Sequence, residues 1–257
     1  MKKFILTICL CILTLICTSC NLANNSNCNN GHDFEKATFE SPKTCKVCGE
    51  TEGEKLTNDF EQLKKALKDV TKLNYTCDDV PFILLMITDS KIQLCKIERD
   101  GNAAMLTATV DGKTGYVYTL VEDDRLIVSS KTEDDEEWHT EIFNKEDQSI
   151  LSFEIFLTLM EVPVFVPNQD VFTLKDDLWI GDTNLITEIY KDVFKFYLEF
   201  DGNTEITRYD IKLNNYGEVD TLYFEFIDGN VTIPGEYKFS KIGTTKITNA
   251  PEIEEAE

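Results

Sequence analysis

Three cysteines and one histidine stand at a spacing that could hold a metal ion: Cys28, His32, Cys45 and Cys48, in the pattern C-x3-H-x12-C-x2-C. A C-x2-C pair followed by glycine, here Cys45-Lys46-Val47-Cys48-Gly49, folds into a tight knuckle that aims two thiolates at one centre. Cys28 and His32 then supply the third and fourth ligands. Four protein ligands close a tetrahedral shell and leave no position for water, so a zinc held there would be structural. A segment this short buries no core of its own, and metal binding would supply its folding energy. A redox C-x2-C pair is the alternative chemistry, but no thioredoxin-like βαβ pattern surrounds the motif.

A fifth reactive residue lies upstream. Lys2 and Lys3 open the chain, Phe4 to Ile16 carry no charge, and Thr18 and Ser19 lead into Cys20. A basic start, an apolar run and small residues at a cut describe a secretory leader. The stretch Ile16-Cys17-Thr18-Ser19-Cys20 resembles the lipobox of bacterial lipoproteins, although Cys17 stands where leucine is usual. The resemblance implies removal of residues 1–19 and a lipid on Cys20, which would anchor the protein to the outer face of the cell membrane. A retained membrane helix is the competing reading. A span needs roughly 20 apolar residues, and the asparagine-rich stretch that follows Ser19 ends the run early. Export also opens a second reading of the cysteine knuckle, a Cys45–Cys48 disulfide.

The knuckle segment as a whole resembles a short zinc-ribbon-like module found beside the anchor of lipoproteins and surface proteins in Gram-positive bacteria. The matching residues are Cys28, His32-Asp33-Phe34, Ala37-Thr38, Pro42-Lys43-Thr44-Cys45, Cys48-Gly49 and Thr51-Glu52-Gly53. Phe39 replaces a further cysteine often present there, which leaves four ligands and suits one zinc.

The elements that carry the rest of the chain follow from its punctuation. Asn58 with Glu61 forms a capping box, and Phe60, Leu63, Leu67 and Val70 recur at helical spacing, predicting a helix over Asp59 to Leu73 with Lys64, Lys65 and Lys68 on its wet side. Strands are predicted at Asn74 to Asp78, Phe82 to Thr88, Lys91 to Glu98, Ala103 to Val110, Thr114 to Val121, Leu126 to Lys131 and Trp138 to Phe143. A second block covers Val193 to Phe200, Glu205 to Leu213, Val219 to Ile227 and Val231 to Lys241. Asp228-Gly229 as a two-residue loop sets Phe226 opposite Val231 and Phe224 opposite Ile233, and Pro234 marks a bulge or an edge. Between the blocks, Asp147 to Glu161 is apolar nearly all round, a buried helix or lid, and a short helix recurs near Thr183 to Tyr190.

This order predicts an α+β fold, a large antiparallel sheet with helices gathered on one face. It resembles the half-barrel carriers of the LolA, LolB and LppX type, as does the closing stretch Tyr237 to Ile247 with Pro251 after it. The resemblance implies a curved sheet and an apolar cavity, with Phe153, Phe156, Leu157, Leu159, Phe194, Phe196 and Leu198 as lining candidates; taken singly, each is better suited to a packed core. The domain plan is therefore leader 1–19, lipidated Cys20 and tether 20–27, zinc-ribbon-like module 28–56, half-barrel domain 57–251 and acidic tail 252–257.

Composition excludes some roles. A formal net charge of -22 over 257 residues, with 47 acidic side chains, argues against nucleic-acid binding, which needs a basic patch. The acidic runs lack the ligand spacing of a calcium loop and read as solvated loops. No nucleophile elbow, phosphate loop or H-E-x-x-H motif occurs, and His139, the one histidine after the module, reads as a surface residue rather than a base or ligand. Cys77 and Cys95 read as buried thiols, because a hairpin turning at Asp89-Ser90 would set Cys95 opposite Leu84. The sequence thus leads to a non-catalytic, membrane-anchored lipoprotein outside the cytoplasm, with structural zinc. Its head would take a lipid or other apolar ligand, or else serve with a filled core as a surface interaction protein; no protein partner is identifiable.

Overall fold

The computed structural model describes residues 28, 31–78, 92–122, 125–144, 162–190, 204–228 and 231–253. It divides into two compact units between Thr57 and Asn58.

The larger unit is an α+β fold dominated by one antiparallel sheet of eleven strands. Its strands are β3 (Tyr75–Asp78), β4 (Ile92–Asp100), β5 (Ala103–Val110), β6 (Lys113–Glu122), β7 (Arg125–Thr132), β8 (His139–Asn144), β9 (Phe172–Lys175), β10 (Leu178–Gly181), β11 (Thr204–Leu213), β12 (Val219–Asp228) and β13 (Val231–Ser240). The order across the sheet is β8-β7-β6-β5-β4-β3-β13-β12-β11-β10-β9. The sheet is therefore open, with β8 and β9 at its ends. It consists of two meanders of neighbouring hairpins, joined where β13 pairs β3 through Lys238↔Asp78, Phe239↔Cys77 and Ser240↔Thr76.

Local sequence sets the turns. Val110 pairs Lys113, leaving Asp111-Gly112 as a two-residue loop in which both residues have positive φ (50° and 81°). That is the type I′ requirement, and Asp-Gly meets it at least cost. The β9–β10 hairpin also closes on a two-residue loop, Asp176-Asp177, but only Asp176 of the two has positive φ (55°). Sequence reading missed this hairpin because four-residue strands carry too little alternation to register.

One expected register differs. β12 and β13 pair with Asp228↔Val231, Phe226↔Ile233 and Phe224↔Gly235, so the link is Gly229-Asn230 and not Asp228-Gly229. The slip is two residues, one full period of side-chain alternation, so Phe224 and Phe226 keep the buried face. Pro234 pairs Glu225 in unbroken register with β12 instead of forming a bulge there. In the first meander Cys77 faces Ile97; the expected strand Phe82 to Thr88 and the turn at Asp89-Ser90 lie outside the described residues. Cys77 and Cys95 are both buried and not disulfide-bonded, and burial pushes the Cys95 thiol up to about 12.

One face of the sheet is the core. Helix α1 (Phe60–Lys72) buries Leu63, Ala66, Leu67 and Val70 at helical spacing. Its N-cap is Asp59, whose side chain accepts from Gln62 N at 2.9 Å, and not Asn58. Asn58 Oδ1 instead accepts from the Trp179 indole at 3.0 Å, tying the helix start to β10. Lys64 and Lys65 stay on the wet side, paired with Glu61 and Asp69. Helix α2 (Thr183–Ile189) is capped by Asp182 and buries Ile186 against β11. Segment 162–167 completes the cover: Tyr209 donates its hydroxyl to Pro163 O at 2.7 Å, and Phe165 stacks 3.9 Å from Tyr190.

Across the opposite face, the segment after β13 forms a strap. Asn74 donates to Asp100 Oδ1 (2.8 Å) and to Thr245 O (3.1 Å), Thr245 Oγ1 meets Thr76 Oγ1 at 3.0 Å, and Lys246 Nζ reaches Asp100 at 2.9 Å. The Lys246 ammonium, with the amides of Ile247 and Asn74, holds the Asp100 carboxyl below the usual aspartate range.

Two predictions test this packing. A Cβ at Gly181 would meet the Tyr209 carbonyl and Ile186 Cδ1 (2.6 Å), whereas at Gly115 the nearest atom, Ala108 O, is 3.9 Å away. Gly181→Ala should cost about 1–3 kcal/mol in urea unfolding, as overpacking does, while Gly115→Ala should cost under about 1 kcal/mol. The depressed Asp100 value means its contribution is fully present above the unfolded value of about 3.9 and is lost as pH falls through the lower folded value. Asp100→Asn should therefore lower Tm at pH 6 and shrink the loss of Tm between pH 4 and pH 2, followed by circular dichroism.

Candidate metal centre

The smaller unit is built around its cysteine knuckle. Strands β1 (Lys43–Thr44) and β2 (Thr51–Glu52) pair as Lys43↔Glu52 and Thr44↔Thr51, a two-rung ladder that closes the loop between them. Inside it Cys45 N donates to Glu50 O at 2.7 Å and Gly49 N to Cys45 O at 2.9 Å, with Gly49 in the left-handed region at φ 76°. The His32-Asp33-Phe34 segment is fixed alongside: Phe34 bridges Cys45, Lys46 N donates to Asp33 O at 2.9 Å and Glu35 N to Thr44 O at 2.9 Å.

These backbone ties bring four donor atoms together. Cys28 Sγ lies 3.7 Å from Cys45 Sγ, and Cys48 Sγ lies 3.3 Å from His32 Nδ1. All four ligand atoms fall within 4.8 Å of one another. Metal–sulfur bonds of about 2.3 Å at tetrahedral angles place two sulfurs about 3.8 Å apart, which the observed pair matches. A disulfide needs about 2.05 Å, and Cys28, Cys45 and Cys48 form none. The donors Cys28, His32, Cys45 and Cys48 thus form a candidate metal site.

Two further observations favour a cation. Among the described residues of this unit only Cys45 is buried, so the unit has no apolar core to hold it. The neighbouring thiols also oppose the ionisation of Cys28. Backbone amides of Cys48 and Val47, with His32, lower Cys45 to about 6, while its hydrogen bond with the Cys48 thiol, burial and neighbouring Cys45 push Cys28 up to about 12. A divalent ion would remove that conflict by neutralising all three thiolates at once.

The expected cavity residues Phe153, Phe156, Leu157, Leu159, Phe194, Phe196 and Leu198 lie outside the described residues, as does Cys20. In the larger unit, a pocket of about 430 Å³ opens over β5–β7, lined by Leu106, Ala108, Val110, Gly115, Val117 and Ser130 among others. Sequence reading did not single these out; the signal was the small residues Ala108 and Gly115, paired across β5 and β6 where bulky side chains would fill the space. His139, also at this pocket, lies on edge strand β8 with its side chain 79% exposed, 3.5 Å from Glu141. Among the described residues no helix is long and apolar enough to cross a membrane.

No family model matches the chain, and no curated protein or solved structure is significantly similar to it.

The thiol geometry gives a direct check. In the reduced chain, a divalent metal should protect Cys28, Cys45 and Cys48 together from alkylation, read by peptide mass mapping. Cys77 and Cys95 should react only on unfolding, with or without metal.

Proposed function

We propose that the protein is a non-catalytic lipoprotein, anchored through Cys20 to the outer face of the cell membrane, whose half-barrel head carries a lipid or other apolar ligand. The observation that carries this reading is the apolar pocket of about 430 Å³ on the core face of the sheet. Its size falls in the range of small-molecule sites, about 300–1,000 Å³; Leu106, Ala108, Val110 and Val117 offer an acyl chain apolar contacts, and Lys113, Lys131, Asp135 and His139 supply polar groups to its lining.

The donor set supports a structural zinc in module 28–56. Three thiolates and one imidazole are the ligands zinc prefers, and four protein ligands leave no open position for catalysis. Apparent binding energies of about 10–16 kcal/mol for such sites would replace the missing core. Cys45 and Cys48 would hold the ion from the knuckle, with Cys28 and His32 closing the shell from the preceding segment.

A second reading, a surface interaction protein with a filled core, has its own support. Over β9–β13 the same face is packed solid, with Tyr209, Phe224 and Tyr237 almost fully buried.

Native mass spectrometry of the chain from Asn21 to Glu257 tests both parts. One zinc should be bound and lost in Cys45→Ser. A lipid-sized adduct should appear after incubation with membrane extract and disappear in Ala108→Trp, which fills the pocket. A zinc-free wild type kept from chelators would sink the metal reading. A head that stays empty would favour the interaction protein.

A further inference from the structure

His32 has two ring nitrogens, and the structure gives them different neighbours. Nδ1 faces the donor cluster, 3.3 Å from Cys48 Sγ. Nε2 faces outward, 3.4 Å from Glu50 Oε2. Glu50 is not there by chance of a long side chain. It is the residue that ends the knuckle: its carbonyl accepts from Cys45 N at 2.7 Å, so the turn that aims Cys45 and Cys48 also sets the position of the Glu50 carboxylate. The His32 ring is held on its other side by Phe34, stacked at 5.3 Å and 28°.

A neutral imidazole carries one proton, on either nitrogen. A carboxylate beside Nε2 favours the tautomer with the proton there, because Nε2–H can donate to it, and leaves the Nδ1 lone pair free to bind a cation. The opposite tautomer would put a proton on Nδ1, pointing into the cluster, and an unprotonated nitrogen against a negative charge. We infer that Glu50 is a positioning residue for the metal centre, fixing His32 in the tautomer that binds through Nδ1. This rests on the reading of Cys28, His32, Cys45 and Cys48 as a metal site. It adds an acid that the C-x3-H-x12-C-x2-C pattern does not contain. Glu50 also contributes negative charge beside three thiolates, which raises the preference for a divalent cation over an empty cluster.

The chain has only two histidines, so His32 can be followed individually by nitrogen-15 NMR of the imidazole rings. The full chain in detergent micelles would be titrated with zinc against a competing chelator, as wild type, Glu50→Gln and Glu50→Ala. In the wild type, zinc should shift Nδ1 to a metal-bound value while Nε2 keeps its proton. Glu50→Ala should weaken zinc binding about 10- to 100-fold, the range seen when such outer partners are removed, and speed exchange of the Nε2 proton with water. Glu50→Gln retains an acceptor oxygen and should recover most of the affinity. Zinc bound through Nε2, or equal affinity in wild type and Glu50→Ala, would overturn the role of Glu50 and leave the metal site standing. A wild type that takes up no zinc would overturn the metal reading and this inference with it.

Discussion

The head depends on what happens around one side chain, Tyr209 in the middle of β11. Its ring is fully buried, packed against Phe165 at 5.3 Å, Phe172 at 6.0 Å and Phe224 at 6.0 Å. Its hydroxyl donates to Pro163 O at 2.7 Å. Three separate pieces of chain meet on this residue: the connector before β9, the short β9–β10 hairpin and strand β12. An apolar residue of the same size would supply the packing but leave the Pro163 carbonyl without its donor. Tyrosine is required because the site is apolar on every side but one. With the connector pinned, Phe165 and Phe172 seal the end of the core, and α1 can lie over β10–β12 through Phe60 and Trp179.

The two units gain their order in opposite ways. The head buries tyrosines, phenylalanines and branched side chains against a wide sheet, and the one charged side chain buried among its described residues, Asp210, is paired with Arg208. The small unit buries only Cys45 among its described residues, and backbone hydrogen bonds order it around four converging donor atoms. The distinction explains why glycine and thiol spacing carries the information in one, and hydrophobic alternation carries it in the other. It also separates their vulnerabilities: the small unit to oxidation of its thiols, the head to loss of volume in its core.

Much of this was legible beforehand where a local rule dominates. β5 runs from Ala103 to Val110 as alternation predicts, and Asp111-Gly112 forms the turn its residues specify. The convergence of Cys28, His32, Cys45 and Cys48 follows from spacing, because a knuckle fixes two ligands and leaves few places for the others. What failed required distant partners. Asn58 looks like a cap, but Trp179 claims its side chain, and the cap passes to Asp59. The β12–β13 register was wrong by two because Asp-Gly and Gly-Asn are both good two-residue links, and only the paired sheet selects between them. The strap has no hydrophobic period at all; it is placed by Asn74, Thr76 and Asp100, each far away in sequence. Glu50 was hidden because a single acid among many carries no signal until its backbone is seen to close the knuckle.

The order of the strands has a consequence for how the head comes together. Every pairing in the two meanders joins neighbours along the chain, but the seam between β3 and β13 joins its two ends, and Thr76 meets Thr245 across 169 residues. Each meander can zip locally; the seam must wait for the longest loop closure in the unit. The beginning and the end of the head therefore lie side by side in the middle of its sheet. A circular permutant that fuses these ends and opens the chain between β8 and β9 would convert the slowest contact into a local one, leaving every hydrogen-bonded ladder unchanged.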